Sequence, residues 1–133
     1  LQVYPDWQFL TFDRHAPDLP NLLKVQDRNL RPVDMMVVCD RVVSKPGYST
    51  FAEACRMSCG IVTLTRQGFA EAQLLLDGIQ RHAHHQILES DAFFEGDWSF
   101  LEQPLSPPIG KPLANNGNQA IANAMSAYLG QSV

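Results

Sequence analysis

The sequence has no long apolar segment and no excess of positive charge. Its apolar runs fall far short of the roughly 20 residues that a membrane-spanning helix needs, and it does not begin with a signal-peptide pattern. Ten Lys and Arg residues stand against 14 Asp and Glu residues, for a net charge of −4. Without a basic stripe or a DNA-binding motif, the chain is not expected to bind nucleic acid. We expect a soluble cytoplasmic protein, and any membrane contact of the full-length protein to be at the cytoplasmic face.

Cysteine is scarce, and metal-ligand patterns are incomplete. A disulfide is not expected between Cys55 and Cys59, which lie four apart on one predicted helix, and we expect Cys39 to join them as small apolar core residues. A reactive or metal-ligating role is the alternative. Three histidines are close together, but no second ligand group stands at a suitable spacing, so no metal is expected; they are His82, His84 and His85.

Several catalytic loops are missing. The G-x-S-x-G elbow of serine hydrolases is absent, as are the P-loop and the G-x-G-x-x-G loop. Ser44 and Ser49 have no placed His and Asp partners. These absences disfavour a serine hydrolase, a P-loop NTPase and a dinucleotide enzyme.

The 133 residues, 45% of them hydrophobic, do suit one domain in which strands alternate with helices. We predict strands at residues 7–12, 21–25, 41–44, 61–64 and 84–88. We predict helices at residues 32–39, 49–58, 69–79, 97–102 and 118–129. Residues 32–39 also fit a strand, although we favour a helix, and a left-handed cap is expected near Gly60. This alternation predicts a three-layer α/β domain with a mostly parallel sheet.

The junction at residues 42–53, V-V-S-K-P-G-Y-S-T-F-A-E, is the most informative segment. Pro46 stops a buried strand, Gly47 can take the angles of a sharp turn, and Thr50 with Glu53 forms a capping box. The first N–H groups of the helix, with Lys45 beside them, would suit a phosphate or pyrophosphate. These residues alone fit two interpretations. The junction is either an anion-binding site or an ordinary capped helix that binds nothing, because both have the same pattern.

This junction, the strand at 61–64 and the segment T-R-Q-G-F-A-E-A-Q-L-L resemble the C-terminal half of GT-B glycosyltransferases. The likeness is to the family of the lipid II-forming N-acetylglucosaminyltransferase, and it covers about residues 40–88. It implies a Rossmann-like domain that holds a nucleotide-sugar donor without a metal. By this resemblance Gly47, Ser49 and Thr50 face the donor diphosphate, and Glu53 binds the ribose.

The second motif of the family places an acidic residue and a Gln near the sugar. Glu71 matches the acidic residue, whereas Gln73 stands one place later than the family's amide. Arg66, in the loop between, could meet the diphosphate or a carboxylate-bearing sugar, and a surface arginine near Glu71 is the alternative. The resemblance therefore implies sugar contacts by Glu71 and Gln73.

The resemblance also predicts what else the donor site needs. We expect residues 1–103 to form the donor-binding domain without its first βα unit, followed by a connector at 104–117 and a C-terminal helix at 118–133. The missing unit would leave a gap in the sheet. The acceptor half would belong to an absent N-terminal domain, so transfer of a UDP-linked sugar to an unknown acceptor is not expected from this piece alone.

The sequence also leaves two alternative functions open and predicts a homodimer. A noncatalytic nucleotide-sugar-binding or interaction module is one alternative, and half of a nucleotide-sugar epimerase is another. The sequence names neither the sugar, the base nor the acceptor. The last helix presents an apolar face that must be covered, which makes a homodimer a further prediction; this face comprises Ile121, Ala124, Met125, Tyr128 and Leu129.

Overall fold

The computed structural model describes residues 1, 3–65, 68 and 70–130, and it has the predicted alternation of strands and helices. The elements in chain order are β1 (Phe9–Thr11), β2 (Leu22–Lys24), α1 (Pro32–Met36), β3 (Arg41–Ser44), α2 (Tyr48–Met57), β4 (Gly60–Leu64), α3 (Ala72–His82), β5 (His85–Leu88), α4 (Ser90–Phe94), a 3₁₀ helix (Ser99–Glu102) and α5 (Gly117–Gly130). The prediction of a helix rather than a strand within residues 32–39 is confirmed, although the helix ends at Met36. Helix α4 was not predicted.

The strands form two small parallel sheets. Strand β1 pairs with β2, and the second sheet has the order β3-β4-β5. Within the described residues no strand pairing joins the two sheets. Helices cover both sides, so the α/β, Rossmann-like class predicted from the sequence is confirmed.

The β3-β4-β5 sheet separates two apolar clusters. Neighbouring residues of a strand point to opposite faces, and Ile61 and Val62 of β4 are both fully buried. Ile61 packs with residues of α1, α2 and α3, among them Met36, Phe51 and Leu76. Val62 packs with the 3₁₀ helix, and aromatic side chains of the first ten residues and of α4 surround it. This double coverage explains the uninterrupted apolar run in β4.

The side chain of Arg41, at the start of β3, contacts Trp7, Gln86 and the backbone around the 3₁₀ helix. Its guanidinium lies 5.0 Å from the centre of the Trp7 ring and donates to the Gln103 carbonyl at 2.9 Å. It also donates to Gln86 Oε1 at 3.2 Å and to the Phe100 carbonyl at 3.3 Å. Burial lowers the pKa of this guanidinium. The three oxygen acceptors offset the cost of withdrawing its charge from water.

Two predicted helix ends are wrong, and local packing explains the first. Ser58, not Gly60, is the left-handed residue after α2, with φ 57°. Gly60 instead begins β4, where an added Cβ would overlap the Leu105 side chain and lie 2.9 Å from the Asp40 carbonyl oxygen. Glycine is therefore required there by close packing. Helix α3 begins at Ala72 rather than at 69, and Phe69 lies outside the described residues.

Helix α5 is exposed along its whole length. It contains no charged residue, and Ile121, Met125 and Leu129 are each more than half exposed. The described part of the chain therefore leaves the side chains of Ile121, Met125 and Leu129 largely exposed. None of the described helices has the combined length and hydropathy needed to cross a bilayer.

Candidate functional site

The predicted site residues lie after two adjacent parallel strands. Strand β3 leads into α2 and β4 leads toward α3, and Ser44 at the end of β3 is the register partner of Thr63 in β4. The carboxyl ends of parallel strands meet at one edge of a sheet, which is where open α/β sheets form ligand crevices. The two junctions are therefore neighbours.

Helix α2 begins without a side-chain cap. Its N-cap residue is Gly47, and the first helical bond runs from the Phe51 N–H to the Gly47 carbonyl at 3.0 Å. The N–H groups of Tyr48, Ser49 and Thr50 donate to no described residue. They form the positive end of the helix dipole.

The predicted capping box is wrong. Thr50 is the third residue of α2, not the residue before it, because the chain enters the helix directly after Gly47. The expected role of Gly47 in a sharp turn is also wrong. Its φ of −164° is extended backbone that any residue adopts, and an added Cβ would meet only the Lys45 carbonyl oxygen, at 3.9 Å. Neither Thr50 nor Gly47 is thus required for the start of α2 itself.

The side chains at this junction differ in exposure. Lys45 and Ser49 are exposed, and Thr50 is half-buried. Glu53, the sixth residue of α2, is also half-buried. Its carboxylate makes no hydrogen bond to the described chain. An ionised carboxylate with open acceptor positions can take hydrogen bonds from a diol.

Arg31, which sequence reasoning missed, lies near Glu53. The guanidinium of Arg31 forms a two-point pair with Asp34, from Nε to Oδ2 at 3.2 Å and from NH2 to Oδ1 at 3.0 Å. The pKa of Arg31 is raised mainly by Asp34 and to a smaller degree by Glu53. The Arg31 guanidinium is hydrogen-bonded to Asp34, so it does not occupy the carboxylate oxygens of Glu53. Its positive charge still lies beside Glu53.

The second junction places its predicted residues on α3. Glu71 is the exposed N-cap residue of α3 and makes no side-chain cap bond. Gln73 is exposed, and its Nε2 donates to Asp77 Oδ1 one turn further on, at 2.7 Å. A contact from Gln73 to a ligand would have to replace this bond. Arg66 lies outside the described residues.

Two buried hydroxyls lie beneath the junctions, and sequence reasoning missed them because Ser and Thr near strand ends are common. Ser44 Oγ and Thr63 Oγ1 are inaccessible and have no hydrogen-bond partner among the described residues. Both are on the face covered by α2 and α3, because Val42 and Ile61, two residues before them, contact that cluster. Buried polar atoms without a hydrogen-bond partner are rare in folded proteins.

Cysteines and histidines contribute no further site. The prediction that the cysteines are core residues is confirmed, because Cys59 is buried and the thiols of Cys39 and Cys55 pack against the same cluster. Burial raises the pKa of Cys59 to about 11. Among the described His, Cys, Asp and Glu residues, no group of three could hold a metal ion. His82 Nδ1 is bonded to the Lys111 carbonyl at 2.7 Å.

Comparisons with protein-family models, with curated proteins and with solved structures found no match to this chain.

Proposed function

We propose that this chain is the donor-binding domain of a glycosyltransferase that moves a sugar from a UDP-linked nucleotide-sugar to an acceptor. The observation that carries the proposal is the start of α2. Three N–H groups, from Tyr48 to Thr50, lack acceptors in the described chain, and the Glu53 carboxylate follows on the same helix. The donor diphosphate would accept from these N–H groups, so the proposal requires no metal.

Glu53 would bind the ribose of the donor. A carboxylate that accepts from two neighbouring hydroxyls forms charge-assisted bonds and selects a diol by geometry. Arg31 stays with Asp34, which leaves the Glu53 oxygens available.

The second junction would meet the sugar. Glu71 is exposed and uncommitted by a cap bond, so it can accept from sugar hydroxyls. Gln73 would join it only by exchanging its bond to Asp77 for one to the ligand. The chain is then a binding domain, and transfer requires an N-terminal acceptor-binding domain.

The proposal is tested by titrating the chain with UDP and following both binding heat and thermal stability. We expect saturable binding and a rise in Tm, because a ligand that binds only the folded state stabilises it. Glu53→Gln should weaken UDP binding at least tenfold, given about 1.5–3 kcal/mol for a hydrogen bond to a charged group. The matched control is Glu102→Gln, an exposed acid on the 3₁₀ helix, which should bind as the original chain does.

The Gly47→Ala variant tests whether UDP affinity can be lowered without changing the stability of the free protein. The added methyl is tolerated by the free protein, since its nearest contact is at 3.9 Å. It would stand where a diphosphate approaches the backbone, so UDP affinity should fall while Tm without ligand stays unchanged. Absence of UDP binding, or equal binding by Glu53→Gln, would sink the donor-site proposal. Sugar transfer by this chain alone would contradict the claim that it is only a binding domain.

A further inference from the structure

A cleft lies beside the outer edge of β5, next to the β4–α3 junction, where Glu89 contacts Thr65. It has a volume of about 450 Å³ and is bounded by β5, α4 and the 3₁₀ helix. The residues that matter for its chemistry are Ile87, Glu89, Phe93, Asp97, Phe100 and Gln103. The proposed nucleotide-sugar site does not use any of them.

The backbone of β5 is open where it borders this cleft. Leu88 accepts from the Thr65 N–H and His84 accepts from the Ile61 N–H, so alternate residues of this strand point toward β4. The backbone N–H and carbonyl groups of the intervening residues point outward. His85 is an example, because its N–H donates to the Ser106 carbonyl at 3.0 Å and its carbonyl accepts from the Ser106 N–H at 2.8 Å. The next outward-pointing residue is Ile87.

Proline prevents the chain from covering Ile87 itself. In an antiparallel ladder that pairs His85 with Ser106, the residue opposite Ile87 is Pro104. Proline has no N–H to donate, so the ladder ends after one bridge. The N–H and carbonyl of Ile87 bond to no residue in the described ranges, and they border the cleft. This is an edge to which a further strand can add.

The cleft carries negative charge on fixed carboxylates. Glu89 Oε2 accepts from Thr65 Oγ1 at 3.1 Å, and Asp97 Oδ1 accepts from the Ser99 N–H at 3.0 Å. Each carboxylate keeps a second oxygen for a cation. No Lys or Arg occurs in the sequence between Arg81 and Lys111, a stretch that has five acidic residues.

Aromatic side chains line the rest of the cleft, and Arg41 lies behind one of its walls. Phe93 and Phe100 line the cleft with ring centres 6.2 Å apart. Such rings suit the aliphatic stem of a lysine or the face of a guanidinium. Arg41 reaches the same wall, but Gln86 and the Phe100 and Gln103 carbonyls hold its guanidinium. Glu89 and Asp97 therefore leave the cleft net negative.

We propose that this cleft binds an extended, basic peptide segment of a partner protein, which adds to β5 as an antiparallel strand. The backbone of Ile87 supplies the strand pairing. Glu89 and Asp97 take Lys or Arg side chains on alternate residues of the segment, and Phe93 packs against their stems. Binding is then directional, through the backbone, and selective for positive charge.

The probe is an acetylated and amidated hexapeptide of alternating Lys and Val, titrated into the ¹⁵N-labelled full chain at low salt. We expect saturable shifts in the amide signals of residues 86–89, and slower hydrogen exchange of the Ile87 amide in the complex. The same peptide with Glu in place of Lys should show no saturable binding. Methylation of the backbone nitrogen of the Val that pairs with Ile87 should abolish binding, because it removes a donor from the ladder.

Variants of the chain test the charge separately. Glu89→Gln with Asp97→Asn keeps the shape of both side chains and should weaken binding of the Lys peptide roughly three- to tenfold, as expected for two partly exposed ion pairs. Glu95→Gln, an exposed acid that does not line the cleft, is the matched control and should change nothing. Equal binding of the Lys and Glu peptides, unchanged binding after N-methylation, or no saturable binding would each overturn the proposal.

Discussion

Replacing Arg41 with Met should destabilise the fold by about 3.5–4 kcal/mol. Met preserves much of the aliphatic stem but removes the guanidinium and its three hydrogen bonds to oxygen acceptors. The site is only partly buried, so we assign about 1 kcal/mol to each bond, below the range for buried charged groups. The stack on Trp7 contributes a further 0.5–1 kcal/mol or so.

The loss is limited because Gln86 protects two of the acceptors. Gln86 Nε2 also donates to the Phe100 carbonyl at 3.1 Å and to the Gln103 carbonyl at 3.4 Å. These carbonyls therefore keep a donor when Arg41 is replaced, and only Gln86 Oε1 is left without one. This is why the expected cost stays well below that of an unpaired buried charge.

Urea unfolding, followed by tryptophan fluorescence, measures this change. Trp7 lies against Arg41, so its emission in the folded state should also shift. The control is Arg28→Met at an exposed arginine, which should change the free energy of unfolding by less than about 0.5 kcal/mol. If Arg41→Met is as mild as this control, the contacts of the guanidinium do not stabilise the fold and the reasoning is refuted.

Three further predictions concern packing, pH and assembly. Gly60→Ala should cost about 1–3 kcal/mol in urea unfolding through steric overlap, whereas Gly47→Ala, which has free space, should be near neutral; equal costs would contradict the two local geometries. Burial raises the pKa of Cys59 from 9.0 to about 11, so its contribution to stability is complete below pH 9 and is lost as pH rises toward 11. The difference in unfolding midpoint between the original chain and Cys59→Ala should change over that window, and a constant difference would refute it. The exposed side chains of Ile121, Met125 and Leu129 on the uncharged helix α5 predict a homodimer by light scattering, which Ile121→Lys with Met125→Lys should convert to a monomer; a monomeric mass of the original chain at high concentration would count against it.

Patterns that depend on neighbours in the sequence predicted the fold well. The apolar run of β4 and the helical spacing of Leu75, Leu76 and Ile79 in α3 are local signals, and the structure buries these residues as expected. Helix α4 was missed because its five residues bury none of their side chains, so no apolar period marks it. Its role depends on the aromatic stack between Phe93 and Trp98, a contact with the loop that follows.

The candidate site was predictable only in its position. Pro46 after a Val-rich strand located the start of α2, because proline ends a strand through its effect on the local backbone. The proximity of Arg31 to Glu53 and the register between Ser44 and Thr63 depend on how α1 packs on α2 and how β3 pairs with β4. Those are contacts between distant parts of the chain, and periodicity within a segment carries no information on them.

The division of the strands into two sheets has a consequence for dynamics. A continuous sheet opens cooperatively because each strand is bonded on both sides, whereas β1 and β2 are held to the rest by side chains such as Trp7 and Phe9. The β1–β2 pair should therefore exchange its amide hydrogens through a lower-energy opening than β4, which is paired on both edges. Partial unfolding would begin at this sheet and leave the candidate site on α2 intact.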